Sequence, residues 1–369
     1  MSLAAVGVVV LAAGVAFANG TNDISKGIAT LVGSGVSNFR AAVIWGTVWT
    51  VAGGLLAAFV SQGLVETFSG KGFLDQPITG FAFLASVALG AAAWVLFASR
   101  TGLPVSTTHA IAGALAGAAL AAQGAGALHW ATFAKKIALP LGLSPLVSIG
   151  LMYAISPLLA RAVARAESYC VCLERRAGSP VFSPGGAIAL STIGVAPMAA
   201  ATEACDQSLG VTARVSVLDG LHWLSSALTS FARGLNDTPK IVALGVAASV
   251  VLAIDGALTY VLVALFIGAG SLVGGFRVTE TLARKVTPMT PGEGFAANLV
   301  TTLLVSLASV YALPVSTTQV SSSAIIGIGL RRGGRGVHWG KVREMLYAWI
   351  VTLPAAALVA GGAYALLSR

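Results

Sequence analysis

The chain has 369 residues, of which 56% are hydrophobic and only 9% charged, and it carries a net charge of +9. A soluble domain carries about 25% charged residues, so a water-facing surface over most of this molecule is excluded and an integral membrane protein is indicated. The basic excess does not point to nucleic acid, because the Lys and Arg residues sit in short gaps between apolar stretches, as in positive-inside loops.

Taken in chain order, the first apolar stretch, 3–18, ends in Ala16-Phe17-Ala18, which resembles a signal-peptide cleavage site. No Lys or Arg precedes it, so a retained helix is expected. A bilayer core about 30 Å thick needs about 20 apolar residues per helix. Stretches of that order lie at 41–61, 78–98, 137–160, 257–276, 294–312 and 346–367. Shorter ones lie at 24–35, 105–121, 185–202, 217–232, 240–254 and 315–330, several of them abutting Pro, Asn-Asp or Gly. Polar backbone at membrane depth is tolerated only where protein or a wet cavity surrounds it. The short segments therefore predict discontinuous helices around a site.

The polar stretch 161–184 holds Arg161, Arg165, Arg175 and Arg176 and is placed in the cytoplasm. Residues 331–343, with Arg331, Arg332, Arg335, Lys341 and Arg343, go to the same side, while Lys135 and Lys136, one crossing away from 161–184, face outward. The cysteines are Cys170, Cys172 and Cys205, an odd count without zinc-like spacing. Cys170-Val171-Cys172 could bind a metal or act in redox chemistry, but the three are read as inert loop thiols and no metal site is assigned.

The chain aligns with itself. Phe17-Ala18-Asn19-Gly20-Thr21-Asn22-Asp23 matches Phe231-Ala232-Arg233-Gly234-Leu235-Asn236-Asp237, and Lys26 matches Lys240. Glu66 matches Glu280, Leu103-Pro104-Val105-Ser106-Thr107-Thr108 recurs unchanged from Leu313 to Thr318, and His129-Trp130 matches His338-Trp339. Such ordered blocks mean a duplicated half. Residues 1–160 form a first transmembrane repeat, 161–216 a connecting cytoplasmic loop with a linking helix, and 217–369 a second repeat. The charges place the equivalent segments 122–136 and 331–343 on opposite sides. The expected fold is an all-α polytopic membrane protein of two inverted-topology repeats with discontinuous helices.

Gly20 and Gly234 can supply a backbone break, with Asn22-Asp23 and Asn236-Asp237 as N-caps of a restarting helix. Lys26 and Lys240 lie three residues past each Asp, on the same helical face. Ionisable residues inside a membrane cost about 3 kcal/mol or more, so matched Asp and Lys predict a balanced buried site, with structural salt bridges as the plainer alternative. In Pro-Val-Ser-Thr-Thr a proline precedes a new helix, whose free N–H groups and dipole favour an anion. Ser106, Thr107, Thr108, Ser316, Thr317 and Thr318 add hydroxyl donors, unless they bond back to their own helices. Donors for oxygens beside a carboxylate acceptor favour phosphate, whose P–OH can donate, over sulfate, which would leave the carboxylate unpaired. Asn22, Asp23, Asn236 and Asp237 complete the candidate substrate site, with Lys26, Lys240, Glu66 and Glu280 for charge balance or coupling. His109 has Gln319 as its counterpart, which argues against a shared role.

These duplicated Gly-x-Asn-Asp and Pro-x-Ser-Thr-Thr motifs, over both halves, resemble the inorganic phosphate transporter family of sodium- or proton-coupled carriers. The resemblance implies no enzyme activity and no cofactor beyond a coupling cation, H+ or Na+. It implies a cation-coupled phosphate symporter working by alternating access, often as a homo-oligomer. Sodium-coupled members usually carry Asn where Lys26 and Lys240 stand here, so proton coupling is expected. The long cytoplasmic domain of eukaryotic members is missing, which favours a prokaryotic cytoplasmic (inner) membrane. The alternatives are a sulfate or other oxyanion permease of the same fold, a channel, and an intramembrane aspartyl protease using Asp23 and Asp237.

Overall fold

The computed structural model describes residues 3–70, 74, 80–176, 180–182, 188–190, 194–202, 205, 211–252 and 256–369. The first half comprises α1 (Leu3–Asp23), α2 (Ser25–Gly33), α3 (Phe39–Val60), α4 (Gln62–Phe68), α5 (Phe81–Thr101), α6 (Thr107–Gln123) and α7 (Trp130–Glu167). Strands β1 (Tyr169–Arg176), β2 (Pro180–Phe182), β3 (Ile188–Leu190), β4 (Gly194–Ala201) and β5 (Val211–Ser216) follow. The second half comprises α8 (Val217–Leu252), α9 (Gly256–Val273), α10 (Phe276–Arg284), α11 (Pro291–Val310), α12 (Thr317–Arg331) and α13 (Trp339–Leu367).

Among the described residues, six helices are long and apolar enough to cross a membrane: α3, α5, α7, α9, α11 and α13. They coincide with the six long apolar stretches of the sequence. Their outer faces are apolar too, with Phe59 82% exposed and Leu158 and Leu358 each 78% exposed. Such a surface suits lipid and not water. Helices α6 and α12 have 17 and 15 residues, about 25 and 22 Å at the helical rise, short of a bilayer core of about 30 Å. Both begin where the sequence predicts, after an extended Leu-Pro-Val-Ser segment.

Local chemistry sets several ends. Asn38 caps α3, its side chain accepting from Ala41 N at 2.9 Å. Thr290 and Glu293 form a reciprocal capping box on α11, with Pro291 in the first turn. Gly102, at φ 75°, ends α5 in the left-handed region; its counterpart in the second half is Ala312, which accepts φ 55°.

Three expectations change. The stretch 185–202 is not a half-span: its described residues form β3 and β4. The stretches 217–232 and 240–254 join into one 36-residue helix, α8, with Pro239 inside. Gly20 and Gly234 lie within α1 and α8 and do not break them. The chain instead turns at Ile24, between α1 and α2, and neither Asn-Asp pair caps a helix. The glycines serve close packing: a Cβ on Gly20 would lie 2.1 Å from Ile267 O, and one on Gly234 2.0 Å from Thr50 O. Helix α1 thus crosses α9, and α8 crosses α3, backbone to backbone.

Every such pairing has its counterpart. Helix α1 packs on α5 as α8 does on α11, and α6 on α13 as α12 does on α7. The sequence halves are therefore interleaved. One group holds α1, α5 and α6 with α9 and α13; the other holds α8, α11 and α12 with α3 and α7. Between the halves, β1 is the middle strand of an antiparallel sheet of order β4-β1-β5, and Thr202 and Cys205 are helical.

Candidate functional site

The two Leu-Pro-Val-Ser-Thr-Thr blocks meet in the protein's interior. Thr108 Oγ donates to Val315 O at 3.3 Å, and Thr318 Oγ donates to Val105 O at 2.7 Å. Each block thus completes the other by the same bond. Trp349 Nε1 donates to Pro104 O at 3.0 Å and holds the first block against α13. Ser106 Oγ accepts from His109 N at 3.2 Å, and Ser316 Oγ from Gln319 N at 3.1 Å. The two serines therefore cap α6 and α12 with their acceptor side, while each hydroxyl keeps a proton to donate. Removing an N-cap oxygen costs about 1 kcal/mol. Ser106→Ala and Ser316→Ala are each expected to lower the melting temperature by a few degrees, and the double variant by about the sum. Thermal unfolding in detergent checks this.

Around the blocks sit five ionisable side chains, each 1–2% exposed: Asp23, Lys26, Arg233, Asp237 and Lys240. Lys26 Nζ donates to Asp23 Oδ1 at 2.7 Å, to Asn22 Oδ1 at 2.6 Å and to Asn22 O at 2.9 Å. Lys240 Nζ donates to Thr108 Oγ1 at 2.7 Å and Val315 O at 3.0 Å, and pairs with Asp237 Oδ1 at 3.3 Å. The second oxygen of Asp23 accepts from Thr107 Oγ at 2.8 Å and from Asn19 Nδ2 at 2.6 Å. Asn19 Nδ2 also reaches Asp237 Oδ2 at 3.2 Å, so one amide spans both carboxylates. Thr318 Oγ lies 3.4 Å from Asp23 Oδ1. Asn236 Nδ2 donates to Asp237 Oδ1 at 3.1 Å.

The structure thus brings together Asn22, Asp23, Lys26, Thr107, Thr108, Asn236, Asp237, Lys240 and Thr318. Thr317 is buried beside them at the first turn of α12. It does not bring in the glutamates by any described bond: Glu280 pairs with the half-exposed Lys285 at 3.3 Å, and Glu66 is exposed on α4. Lys71, matched to Lys285 by the repeat, lies outside the described residues.

Sequence reasoning passed over Asn19 and Arg233. Arg233 Nη2 donates to Ser271 Oγ at 3.2 Å, yet its Nε and Nη1 have no hydrogen-bond partner although they are buried. Its guanidinium is close enough to Asp23 and Asp237 to be attracted by both. The signal was present: an arginine inside an apolar segment marks a site by its cost alone. It was missed because its counterpart, Asn19, is uncharged, and the reading followed identical pairs.

A charged cluster walled off between half-length helices, inside a bundle of spans, is the architecture of a membrane transport protein. The comparison with known families narrows this: residues 5–360 match the phosphate transporter family, and the chain belongs to it. A protein of Rhizobium meliloti (strain 1021) described as "Probable low-affinity inorganic phosphate transporter" is 28% identical, over 97% of this chain and 95% of its own length. A Bacillus subtilis (strain 168) protein with the same description is 28% identical, over 98% and 96%. Among solved structures, "The sodium-dependent phosphate transporter" superposes with a TM-score of 0.78 at 21% identity, covering 100% of this chain and 99% of that one. At that identity the likeness shows the fold.

Family and fold are those of transporters and not of enzymes, which sets aside the aspartyl protease. The geometry gives the physical reason: each carboxylate has its own lysine, whereas a proteolytic dyad must share a proton between its carboxyls.

Proposed function

We propose that this chain carries inorganic phosphate across the membrane together with a cation, by alternating access, and that the cation is a proton. The observation behind the substrate is the charge of the buried cluster. Lys26, Lys240 and Arg233 face Asp23 and Asp237, so three positive charges against two leave a surplus of one. An uncompensated buried charge is costly, and a phosphate monoanion supplies the missing negative charge. The unpartnered N–H groups of Arg233 offer donors, and the N-termini of α6 and α12 add their dipoles. Asp23 and Asp237 accept from a P–OH, which sulfate lacks. Thr317 and the protons of Ser106 and Ser316 donate to phosphate oxygens, and Thr107, Thr108 and Thr318 join them by turning their hydroxyls from Asp23, Val315 O and Val105 O, while Asn236 positions Asp237 and Asn22 positions Lys26. The descriptions of the relatives agree with this substrate.

The coupling ion is read from Lys26. Its ammonium occupies a nest of three oxygens at 2.6–2.9 Å, the kind of oxygen set that would otherwise suit a small metal cation. A fixed ammonium there removes the need for sodium.

One cavity is lined by Val163 and Glu167 of α7 together with Arg331 of α12. This supports placing the two basic segments on one side, with Lys135 and Lys136 at the far end of α7. That arrangement supports inverted repeats, and the bacterial relatives support a prokaryotic cytoplasmic membrane. Because the halves interleave, the rocking units are the two helix groups and not residues 1–160 against 217–369.

Labelled-phosphate uptake into proteoliposomes, with proton and sodium gradients imposed separately and sulfate in excess, tests the proposal. Uptake is expected on the proton gradient, indifferent to sulfate. Arg233→Gln is expected to raise the phosphate KM about tenfold, equivalent to about 1.4 kcal/mol. Uptake on sodium alone would remove the role given to Lys26 and Lys240. No phosphate uptake, with sulfate carried instead, would overturn the substrate.

A further inference from the structure

The three cysteines do not behave as scattered loop thiols. Cys170 and Cys172 are two residues apart on β1, so their side chains leave the same face of the sheet. Cys205, beyond β4 in the chain, lies against them. The sulfurs of Cys170 and Cys172 lie 3.4 Å apart, and Cys205 Sγ is in contact with both. All three sulfurs lie within 4.8 Å of one another, and the residues are 1%, 0% and 2% exposed. No His, Asp or Glu joins the group among the described residues.

We propose that Cys170, Cys172 and Cys205 form a three-thiolate site for a soft, thiophilic monovalent cation of the copper(I) class. The donor set decides the class. Thiolate sulfur selects soft ions, whereas calcium, magnesium and manganese take oxygen. Structural zinc is four-coordinate, and this group supplies three ligands among the described residues. An ion held by three sulfurs at about 2.3 Å sets them about 4 Å apart, a triangle formed when Cys205 withdraws from contact and the Cys170–Cys172 pair opens slightly from 3.4 Å. The balance is simple: three thiols release three protons to solvent, one monovalent ion enters, and no electrons move.

A disulfide is the competing chemistry. Cys205 can bond to only one partner at a time. Its Cα lies 7.1 Å from that of Cys170 and 6.1 Å from that of Cys172, and the first exceeds what a disulfide normally spans. The cytoplasmic placement argued above, on which this choice rests, disfavours a persistent Cys172–Cys205 bond, because that compartment keeps thiols reduced.

The test uses the full chain in lipid nanodiscs, reduced and then freed of reductant. Copper(I) is titrated in against a chromophoric copper(I) chelator. The wild type is expected to take one ion per chain with high affinity. The Cys170→Ser/Cys172→Ser/Cys205→Ser variant is expected to take none above the empty-nanodisc baseline. Its phosphate uptake after reconstitution into proteoliposomes, unchanged from wild type, shows that it folds, and a failed phosphate assay in both proteins would bear on the transport reading alone. Equal copper(I) binding by the two proteins overturns the site. So does a Cys172–Cys205 disulfide found by mass spectrometry after alkylation in intact cells, which would make the cluster a redox pair.

Discussion

Asp23→Asn is expected to abolish phosphate uptake, with a loss of at least about 100-fold, or roughly 2.7 kcal/mol. The carboxylate accepts from Asn19, Lys26 and Thr107 at 2.6–2.8 Å and from Thr318 at 3.4 Å. It therefore joins the two repeated blocks and holds one ammonium. The amide presents an NH2 group toward these donors and leaves Lys26 without its counter-charge. Breaking a buried ion pair on one side costs about 3–5 kcal/mol, so part of the loss could be folding. The double variant Asp23→Asn/Lys26→Met separates the two, since it removes the stranded cation. Its melting temperature is expected to recover most of the lost ground while uptake stays absent. If the double variant transports as wild type does, the pair is a structural salt bridge and the site reading fails.

Gly20→Ala and Gly234→Ala are expected to be severely damaging single-methyl additions at the two backbone crossings. The new Cβ at Gly20 would meet Ile267 O at 2.1 Å and Ser271 N at 2.7 Å; at Gly234 it would meet Thr50 O at 2.0 Å and Gly54 N at 2.8 Å. These are backbone atoms of the facing helix and cannot rotate aside, so the helices must separate. Overpacking of this kind costs about 1–3 kcal/mol or more. Both crossings lie within a turn of the charged cluster, so opening them also moves Asp23 and Asp237. A lowered melting temperature and lost uptake are expected together. Gly14→Ala is the control, since nothing lies within 4 Å of its Cβ and alanine favours a helix. A Gly20→Ala protein as stable as Gly14→Ala would show that the crossing is loose.

The long spans were legible because a run of about 20 apolar residues has few alternatives to a membrane helix. The stretch 185–202 was not, because a short apolar run without periodicity reads equally as strand or half-helix. Its β4 part pairs with β1 from Tyr169↔Ala201 to Arg176↔Gly194, a contact set by sequence-distant residues. The break expected at Arg233-Gly234-Leu235-Asn236-Asp237 failed for another reason. A polar string with glycine looks like a loop, yet here it is the buried face of α8, with Arg233, Asn236 and Asp237 all turned into the protein. In the site, identical repeated residues were found because duplication marked them. Asn19 and Arg233 were passed over because they differ between the copies, although they occupy the same place in each.

That difference reaches into how the chain enters the bilayer. Lys26 and Asp23 are three residues apart on consecutive turns, as are Lys240 and Asp237. Each segment therefore carries its own counter-ion and can be inserted as a nearly neutral unit before the rest of the protein exists. Arg233 adds a third charge to α8, which Asp237, already paired with Lys240, does not also neutralise, and an arginine at the centre of a membrane helix costs about 2.5–3.5 kcal/mol on insertion. Ser271, the one side chain it donates to among the described residues, comes from α9, a helix still to be synthesised when α8 emerges. Asp23, by contrast, is already in place in α1. The residue that gives the cluster its surplus charge thus finds its hydrogen-bond acceptor and part of its counter-charge outside its own helix.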